Sequence, residues 1–323
     1  MGSQEALFAD RYELRKLAGR GGMAEVWRAQ QHGAAGFVRP VGIKRILPHL
    51  AAKEAFVRMF IEEARVCAQL MHPNIIQIYD FLYERGTYFL VMEWVEGVNL
   101  SRFLEAYERR DMMVPWPIIA AVAIESLKAL GAAHERLDKS HKPAPVIHRD
   151  VTPPNILIGL NGVVKLSDFG LARAMDRARL TDPDIIKGKM AYLAPELTHG
   201  EEASAQTDIY ALGVTIWQAL AGRRLFPGET NAEIFMAARR AEVQPLAELR
   251  PDLPVELTDT VARSLAYDQN DRFPNAFEMR RRLAQLLRRS PVTTDARLIA
   301  DAVQDARDAL GMDRPSQPPP PVG

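Results

Sequence analysis

The sequence predicts an α+β fold in which a small β-rich part is followed by a larger helical part. Between residues 12 and 93, most segments alternate apolar with polar residues or are rich in β-branched and aromatic side chains, as strands are. After Gly97 the apolar residues recur at helical spacing. The composition is globular, with 47% hydrophobic and 25% charged residues in a chain of 323, which suits one large domain or two ordinary ones.

The β-rich part contains strand-like runs and one predicted helix. Residues 25–29 alternate in polarity, and residues 87–92 form a short β-rich run after Gly86. Between them, residues 53–70 predict a helix that ends before the turn signal His72-Pro73-Asn74, so His72 is expected to serve that turn. The apolar side chains at helical spacing are Phe56, Phe60, Ala64, Cys67 and Leu70.

The second part is predicted to be mainly helical. Helices are expected at 100–109, 117–136, 204–221, 231–240, 256–266 and 274–287, with short strands near 156–158 and 163–166. A last amphipathic stretch, residues 295–310, is expected to dock on the rest of the chain because it has an apolar face. That face carries Ile299, Ala302, Val303, Ala306 and Leu310.

Charge, cysteine content and apolar stretches exclude several classes of protein. The 41 basic and 41 acidic side chains balance, so net charge gives no general attraction to nucleic acid or to a membrane surface. The single cysteine, Cys67, excludes an intramolecular disulfide and a cysteine-rich metal site. The longest apolar stretch, read as 209–220, is shorter than the ~18 residues of a membrane span. We therefore expect a soluble, cytoplasmic chain without an export or lipid signal, ending in a Pro-rich extended segment at 315–323.

A glycine-rich turn lies between the first two predicted strands. Glycines lack a Cβ atom, so backbone N–H groups in such a turn can approach phosphate oxygens. A plain tight hairpin would have the same composition, so the turn is a weak signal by itself. It comprises Gly19, Arg20, Gly21, Gly22, Met23, Ala24, Glu25 and Val26.

Lys44 lies in an apolar strand, where an unpaired ammonium group would be costly. It therefore needs an anionic partner. Glu63 on the predicted helix is the candidate, and the adjacent Glu62 would point to another side of that helix. Nucleotide phosphates would supply further negative charge. A lysine on the protein surface is the alternative.

Two polar segments in the second part carry the residues that phosphoryl transfer needs. In residues 148–155, HRDVTPPN, two prolines make the segment rigid and non-helical. Asp150 can accept or orient an attacking hydroxyl, while Asn155 offers a neutral oxygen to Mg²⁺. In residues 167–170, SDFG, the carboxylate of Asp168 can bind a Mg²⁺ ion that bridges the phosphates. Ordinary turn chemistry explains either segment alone but does not readily explain both together.

Taken in order with Ala194-Pro195-Glu196, these segments resemble the signature set of the protein kinase superfamily over about residues 12 to 288. The segments GGMAEV and FLVMEWVEG are most similar in sequence to the corresponding segments of bacterial Hanks-type Ser/Thr protein kinases. The resemblance implies a bilobal protein-kinase fold, ATP and Mg²⁺ as cofactors, and transfer of the γ-phosphate to Ser or Thr hydroxyls of a protein substrate. The choice of Glu63 rather than Glu62 as the partner of Lys44 rests in part on this resemblance, through the distance of Glu63 from His72-Pro73.

The resemblance further implies a division of the chain and a set of site residues. The division is an N-terminal arm (1–11), an N-lobe (12–93), a hinge (94–97), a C-lobe (98–290), a C-terminal amphipathic helix (291–312) and a Pro-rich disordered tail or linker (313–323). The implied nucleotide-binding residues are Leu17, Ala18, the glycine-rich turn 19–26, Gly42, Lys44, the gatekeeper Met92, Glu93, Val95 and Leu157. Structural roles are implied for His148, Arg149, Phe169, Glu196, Asp208 and Arg272, with Arg272 pairing with Glu196, and for an apolar spine of Cys67, Ile78, His148 and Phe169.

The chain departs from the family pattern at two positions. Related kinases usually have lysine two residues after the catalytic aspartate, where this chain has Thr152, and threonine before Ala-Pro-Glu, where this chain has Lys189. We hypothesise that Lys189 restores the missing cation at Asp150 and the γ-phosphate, while Thr152 supplies the hydroxyl. A full charge beside a transferring phosphoryl group contributes several kcal/mol in a site with little water. The alternative is that Lys189 faces solvent or substrate and that Thr152 caps the loop.

Thr181 is the only Ser or Thr between Asp168 and Glu196. Arg149 is the residue type that pairs with a phosphate on this segment. We therefore predict that Thr181 is an autophosphorylation site that orders the segment, with a homodimer as the arrangement for phosphorylation in trans.

Other readings of the sequence are weighed against this one. A pseudokinase is left open by Thr152 and Gly42, although the chemistry-bearing residues are all present. A small-molecule phosphotransferase would lack the segment that includes Glu196. Tyrosine specificity is disfavoured by Pro153, although Lys189 lies where the acceptor hydroxyl is selected.

The roles of three further residues also remain open. Cys67 is either a core residue or a redox sensor, and Trp217 and Met236 belong either to the core or to a substrate groove. The expected partners are ATP and a protein substrate, without nucleic acid or membrane.

Overall fold

An antiparallel sheet of five strands forms the first part of the chain. The computed structural model describes residues 9–84, 86–169, 189–292 and 295–312. The strands are β1 (Tyr12–Arg20), β2 (Ala24–His32), β3 (Val38–Ile46), β4 (Ile78–Glu84) and β5 (Thr87–Glu93). Their order in the sheet is β1-β2-β3-β5-β4. The register places Val26 opposite Lys44 and Gly42 opposite Met92, so predicted site residues from separate segments become neighbours.

The predicted helix over 53–70 is confirmed as α2 (Glu54–Cys67), and a short helix that was not predicted, α1 (Pro48–Ala51), precedes it. Helix α2 packs on β4 and β5 with an amphipathic face that buries Phe60, Glu63 and Cys67 among others. After it, His72 serves the turn as expected, because its Nδ1 accepts a hydrogen bond of 3.1 Å from the backbone N–H of Asn74.

The helical part agrees with all six predicted helices, whose ends move by no more than two residues. Several helices begin where a side-chain oxygen accepts a hydrogen bond from the first turn, as at Asn99, Ser204, Thr230 and Asn275. The helices are α3 (Leu100–Glu108), α4 (Trp116–His134), α5 (Pro195–Thr198), α6 (Ala205–Ala221), α7 (Asn231–Arg240), α8 (Leu246–Leu249), α9 (Val255–Ser264) and α10 (Ala276–Arg288).

A second, small sheet lies where the two parts meet. Both predicted short strands are confirmed, as β7 (Ile156–Gly159) and β8 (Val164–Leu166), and they pair with β6 (Gly97–Asn99) in the order β6-β7-β8. A bridge between Ile75 and Leu166 connects this sheet with the chain that leads into β4. Residues 153–168 are thereby placed beneath the first sheet.

Helix α4 is the apolar centre of the helical part. It packs against α6 and α10, and most of its residues are buried. Among the described residues it is the one helix that is long and apolar enough to cross a membrane. The burial of α4 inside the fold accounts for its apolar composition. The sequence reading of 209–220 as the longest apolar stretch overlooked this helix, because Glu125 and Lys128 interrupt the apolar run.

The predicted docking of the last amphipathic stretch is confirmed. It forms helix α11 (Ala296–Ala309), which packs against α3, β6 and β7. Ile299, Ala302, Val303 and Ala306 are buried on its inner face. Leu310 lies one residue beyond the end of the helix and is half-buried.

Candidate active site

Lys44 on β3 is buried between two carboxylates. Its Nζ lies 2.7 Å from Oε1 of Glu63 on α2 and 2.7 Å from Oδ1 of Asp168, which follows β8. The structure thus pairs Lys44 with Glu63, whereas Glu62 is exposed and pairs with Arg65. This arrangement satisfies the buried ammonium group and connects the first sheet, its helix and the segment beneath them.

Burial and the shared cation together set the protonation of both acids. Burial opposes the charged form of Lys44, but Asp168 and Glu63 raise its pKa above the ordinary value. Burial raises the pKa of Glu63 to about 7, against the opposing effect of Lys44. At Asp168 burial also favours the neutral acid, yet the Lys44 ammonium group lowers the pKa of the carboxyl. Asp168 is therefore the carboxylate that stays ionised near neutral pH.

The raised pKa of Glu63 gives the stability of the protein a pH dependence. Because the folded-state pKa is about 7, above the ~4.3 of an unfolded glutamate, the folded chain holds this proton more tightly. The stabilising contribution is present below the unfolded pKa and is lost as pH rises through the folded pKa. We expect the free energy of unfolding of the wild type, minus that of Glu63→Gln, to fall between about pH 4 and pH 7 in urea titrations. Glu62→Gln is the matched control, and a difference for Glu63→Gln that is independent of pH would contradict the prediction.

A buried aspartate on α6 holds the segment that carries Asp150. Asp208 accepts hydrogen bonds from the backbone N–H groups of His148 (2.8 Å) and Arg149 (2.7 Å). The Nε2 atom of His134 lies 2.7 Å from the same carboxylate. Arg149 has a φ of +66°, a left-handed conformation that a non-glycine residue keeps only where its surroundings fix it. The main chain leading into Asp150 is therefore rigidly placed.

Asn155 and Asp168 offer oxygen atoms that fit a magnesium ion. The side-chain nitrogen of Asn155 donates to the backbone oxygen of Asp150 (2.8 Å) and to its Oδ2 (2.9 Å), which turns the amide oxygen away from Asp150. The backbone N–H of Ser167 donates to the Asn155 carbonyl at 3.0 Å, so Asp168 follows directly beside it. Among the described residues no cluster of three or more His, Cys, Asp or Glu could hold a metal ion. Such a cluster is not needed for Mg²⁺, because proteins commonly hold this ion through one or two protein oxygens together with substrate phosphates.

Lys189 reaches Asp150 from the segment before Ala194. Its Nζ forms an ion pair with Oδ2 of Asp150, whose carboxylate is 4% exposed, while the lysine side chain is 39% exposed. Thr152 is buried, but within the described part of the chain its hydroxyl makes no hydrogen bond to Asp150. The structure therefore places the Lys189 ammonium group at Asp150, as the exchange hypothesis expects. It shows no corresponding contact between the Thr152 hydroxyl and Asp150.

Glu196 is held by a buried bidentate ion pair with Arg272. Two nitrogens of the guanidinium group lie 2.8 Å from the two carboxylate oxygens. Thr207 donates a further hydrogen bond of 3.0 Å to Oε1 of Glu196. Arg272 also donates to the backbone carbonyls of Gln206, Ala266 and Tyr267. The short helix α5 is thus tied to α6 and to the loop after α9.

Replacing Arg272 by methionine is expected to destabilise the fold by about 3–5 kcal/mol, because it leaves the buried Glu196 carboxylate without its partner. Urea-induced unfolding measures the change. The matched control is Arg281→Met, which breaks the exposed pair with Glu278 and should cost less than about 1 kcal/mol. Equal losses in the two variants would show that burial of the Arg272 pair does not matter.

The glycine-rich turn closes between β1 and β2 with a hydrogen bond of 2.9 Å from the N–H of Gly21 to the carbonyl of Ala24. The carboxylate of Glu25 is buried and accepts from Trp27 Nε1 at 2.9 Å, and it pairs with Arg45 and with Arg20. Only the main chain of Glu25 is thus available to a nucleotide. Its side chain instead ties the turn to β3.

The strands beside the hinge place Gly42 against Met92. A Cβ atom on Gly42 would lie 3.2 Å from Cγ of Met92 and 3.3 Å from its Cε, so the glycine makes room for the methionine side chain. Glu93 forms an ion pair of 3.0 Å with Lys165 on β8, which sequence reasoning missed. Leu157 lies on β7, opposite Lys165 in the register of β7 and β8.

The predicted apolar spine is brought together in part by direct contacts. The rings of His148 and Phe169 lie 4.3 Å apart between centroids, and Sγ of Cys67 lies 3.3 Å from the Phe169 carbonyl oxygen. Burial raises the pKa of the Cys67 thiol well above its ordinary value, so the core reading fits and the redox reading does not. Trp217 is likewise buried, with Nε1 donating to the Gln244 carbonyl, while Met236 is exposed.

Some predicted positions lie outside the described residues, among them Gly170, Thr181 and the tail 313–323. Sequence reasoning missed His134 as a contact of Asp208. The only signal was a histidine near the end of a mostly apolar helix, and such a residue is more often an ordinary core side chain.

Comparison with known proteins agrees with this geometry. The family model described as protein kinase domain matches residues 12–282. The chain is 41% identical over 263 residues to the tyrosine-protein kinase MasK of Myxococcus xanthus, covering 81% of this chain and 41% of that protein. It is 32% identical to the serine/threonine-protein kinase PrkC of Bacillus subtilis, over 83% of this chain and 39% of that protein. Against PknA of Mycobacterium tuberculosis the identity is also 32%, over 96% of this chain and 64% of PknA.

A solved structure gives the same assignment. The kinase domain of M. tuberculosis PknI superposes with a TM-score of 0.64 at 26% sequence identity, covering 88% of this chain and 99% of that domain. The chain spans about two fifths of the length of MasK and PrkC. The match over residues 12–282, the bilobal fold and the convergence of Lys44, Asp150 and Asp168 establish that the chain belongs to the protein kinase family.

Proposed function

We propose that this chain is an active Ser/Thr protein kinase that transfers the γ-phosphate of ATP to protein hydroxyls. The observation that carries the proposal is the placement of Asp150 and Asn155 on one rigid loop beside Asp168 and its ion pair with Lys44. The relatives named serine/threonine kinases support it. A pseudokinase is not favoured, because each of these residues is present and correctly partnered.

Each residue has a role that its contacts support. Mg²⁺·ATP, when bound, supplies the phosphoryl group and neutralises phosphate charge. Asp150 would take the proton of the acceptor hydroxyl as that oxygen forms its bond to phosphorus and the bond to ADP breaks. Asn155 and Asp168 would hold the metal ion, Lys44 would bind the α- and β-phosphates, and Glu63 would orient Lys44. Lys189 would stabilise the charge that develops near Asp150.

A second candidate, tyrosine phosphorylation, is favoured by two observations. Lys189 occupies the entrance to Asp150, where related Ser/Thr kinases have threonine, and MasK, at 41% identity, is named a tyrosine-protein kinase. Pro153 is typical of the Ser/Thr form of the loop, so we place Ser/Thr transfer first. We further propose that the protein acts in the cytoplasm and phosphorylates itself at Thr181 within a homodimer.

The acceptor residue decides between the two candidates. Purified protein is incubated with ATP, Mg²⁺ and three peptides that differ only in carrying Ser, Thr or Tyr, and mass spectrometry locates the phosphate. We expect phosphoserine and phosphothreonine, and loss of both when EDTA removes the metal. Phosphotyrosine alone would replace the first candidate by the second, and no transfer to any peptide or to the chain itself would contradict both.

A further inference from the structure

Helix α11 lies outside the part of the chain that matches the protein kinase model, which ends at residue 282. It nevertheless packs on β6 and β7, next to the hinge over residues 94–97. Its inner face is apolar and buried, so the helix belongs to the folded body of the protein. Because of this position, the helix can affect the neighbouring nucleotide site.

The start of the helix is seated on a position that only glycine can fill. Gly162, in the turn between β7 and β8, has a φ of +76°, and a Cβ atom there would lie 2.0 Å from the carbonyl oxygen of Ala296. Towards the end of the helix, Arg110 donates a hydrogen bond of 2.6 Å to the carbonyl of Asp305. Contacts at both ends therefore fix the helix against the hinge side of the molecule.

Arg307 connects this helix to the hinge itself. Its side chain is 11% exposed. Its Nη1 donates to the backbone carbonyl of Gly97 at 3.1 Å and to Oε1 of Glu96 at 3.4 Å. The link therefore acts on both the main chain and a side chain of the hinge.

Glu96 passes the link on to the first sheet. Its Oε2 accepts a hydrogen bond from Nε1 of Trp94 at 3.0 Å and forms an ion pair of 2.9 Å with Arg28. Arg28 lies on β2, two residues after Val26 and opposite Gly42 in the register. One carboxylate thus joins the C-terminal helix, the hinge and the strand that continues from the glycine-rich turn.

We propose that Arg307 is a positioning residue for ATP, which holds the hinge and, through Glu96, the strand β2 at the spacing that the adenine site requires. This inference rests on the proposed function, because it concerns the ATP site of the kinase. It assigns a role in nucleotide binding to a helix beyond the matched domain. The contacts of Arg307 and Glu96 lead to the hinge and β2, whereas Asp150 and Asp168 are the residues assigned to the acceptor hydroxyl and the phosphates. The helix should therefore affect ATP binding more than turnover.

The test compares Arg307→Ala with Arg297→Ala, an exposed arginine on the same helix, in the full chain. We expect Arg307→Ala to raise the KM for ATP and the Kd of a fluorescent ATP analogue about 3- to 10-fold, a loss of up to about 1.4 kcal/mol of binding free energy, with kcat changed less than twofold. Arg307→Lys should recover part of the affinity, since it keeps the charge. Glu96→Ala should reproduce the loss from the hinge side.

The outcomes separate the two proposals. If Arg307→Ala and Glu96→Ala bind ATP as tightly as Arg297→Ala, the positioning role is wrong, even where thermal melting shows that Arg307→Ala is less stable. If kcat falls by the same factor by which the KM for ATP rises, Arg307 acts on the fold generally, and the proposed positioning role is again wrong. If the wild type binds no ATP analogue at all, it is the proposed kinase function that fails.

Discussion

Replacing Asp150 by asparagine is expected to lower kcat by a factor of about 10²–10⁴, the contribution of a positioned proton acceptor. Asparagine keeps the size of the side chain but cannot take the proton of the acceptor hydroxyl. The fold should survive, because Asn155 still donates to the backbone oxygen of residue 150 and Asp208 still holds the preceding N–H groups. Phosphate transfer to peptide and to the chain itself, at saturating ATP, measures the loss.

The matched control for this variant is Asp259→Asn, an exposed aspartate on α9, which should keep the activity of the wild type. The KM for ATP should change little in Asp150→Asn, since Lys44 and Asp168 are untouched. Retention of more than about a tenth of the wild-type kcat would contradict the role of Asp150 as proton acceptor.

Replacing Lys189 by methionine is expected to lower kcat by about 10²–10³, the usual result of removing one group that stabilises charge in the transition state. Lys189 is the cation that the structure pairs with Asp150, and Thr152 supplies no charge in place of the lysine that related kinases carry there. Methionine keeps most of the length of the side chain and removes the charged ammonium group with its hydrogen-bond donors. Lys139→Met, at an exposed position, is the matched control.

An exchange variant makes this prediction sharper. The double variant Thr152→Lys with Lys189→Thr restores the usual family arrangement and should recover most of the kcat lost in Lys189→Thr. The recovery is a coupling between the two sites, which a double-mutant cycle measures directly. If the two changes are simply additive, or if Lys189→Met retains more than about a third of the wild-type kcat, Lys189 is not the replacement cation.

The residues of the candidate site were largely predictable because each needs a specific partner. A lysine inside an apolar strand requires an acid, which directed attention to Glu63, and the structure pairs them. Asp208 and Arg272 were found through the family resemblance alone. The helices predicted after Gly97 follow from their apolar spacing, and each of their ends lies within two residues of the predicted one.

The contacts that could not be predicted involve residues that belong to no recognisable motif or whose side-chain direction the motif does not fix. No sequence pattern predicts the contacts among Arg28, Glu96 and Arg307, because these contacts depend on how the last helix docks. The Glu25 carboxylate faces Trp27 and Arg45, which the pattern of the glycine-rich turn does not reveal. The hydroxyl of Thr152 was expected to act with Lys189, and its direction depends on side-chain geometry that the sequence does not encode.

The burial of helix α4 has a consequence for how the chain folds during synthesis. Its apolar surface is covered in part by α10, which leaves the ribosome about 140 residues later, roughly 7–30 s at ~5–20 residues per second. During that interval a helix suited to a bilayer is without one of its partners in water. The nascent chain should therefore need chaperone protection over this interval, and synthesis that stalls before residue 276 should yield aggregated product.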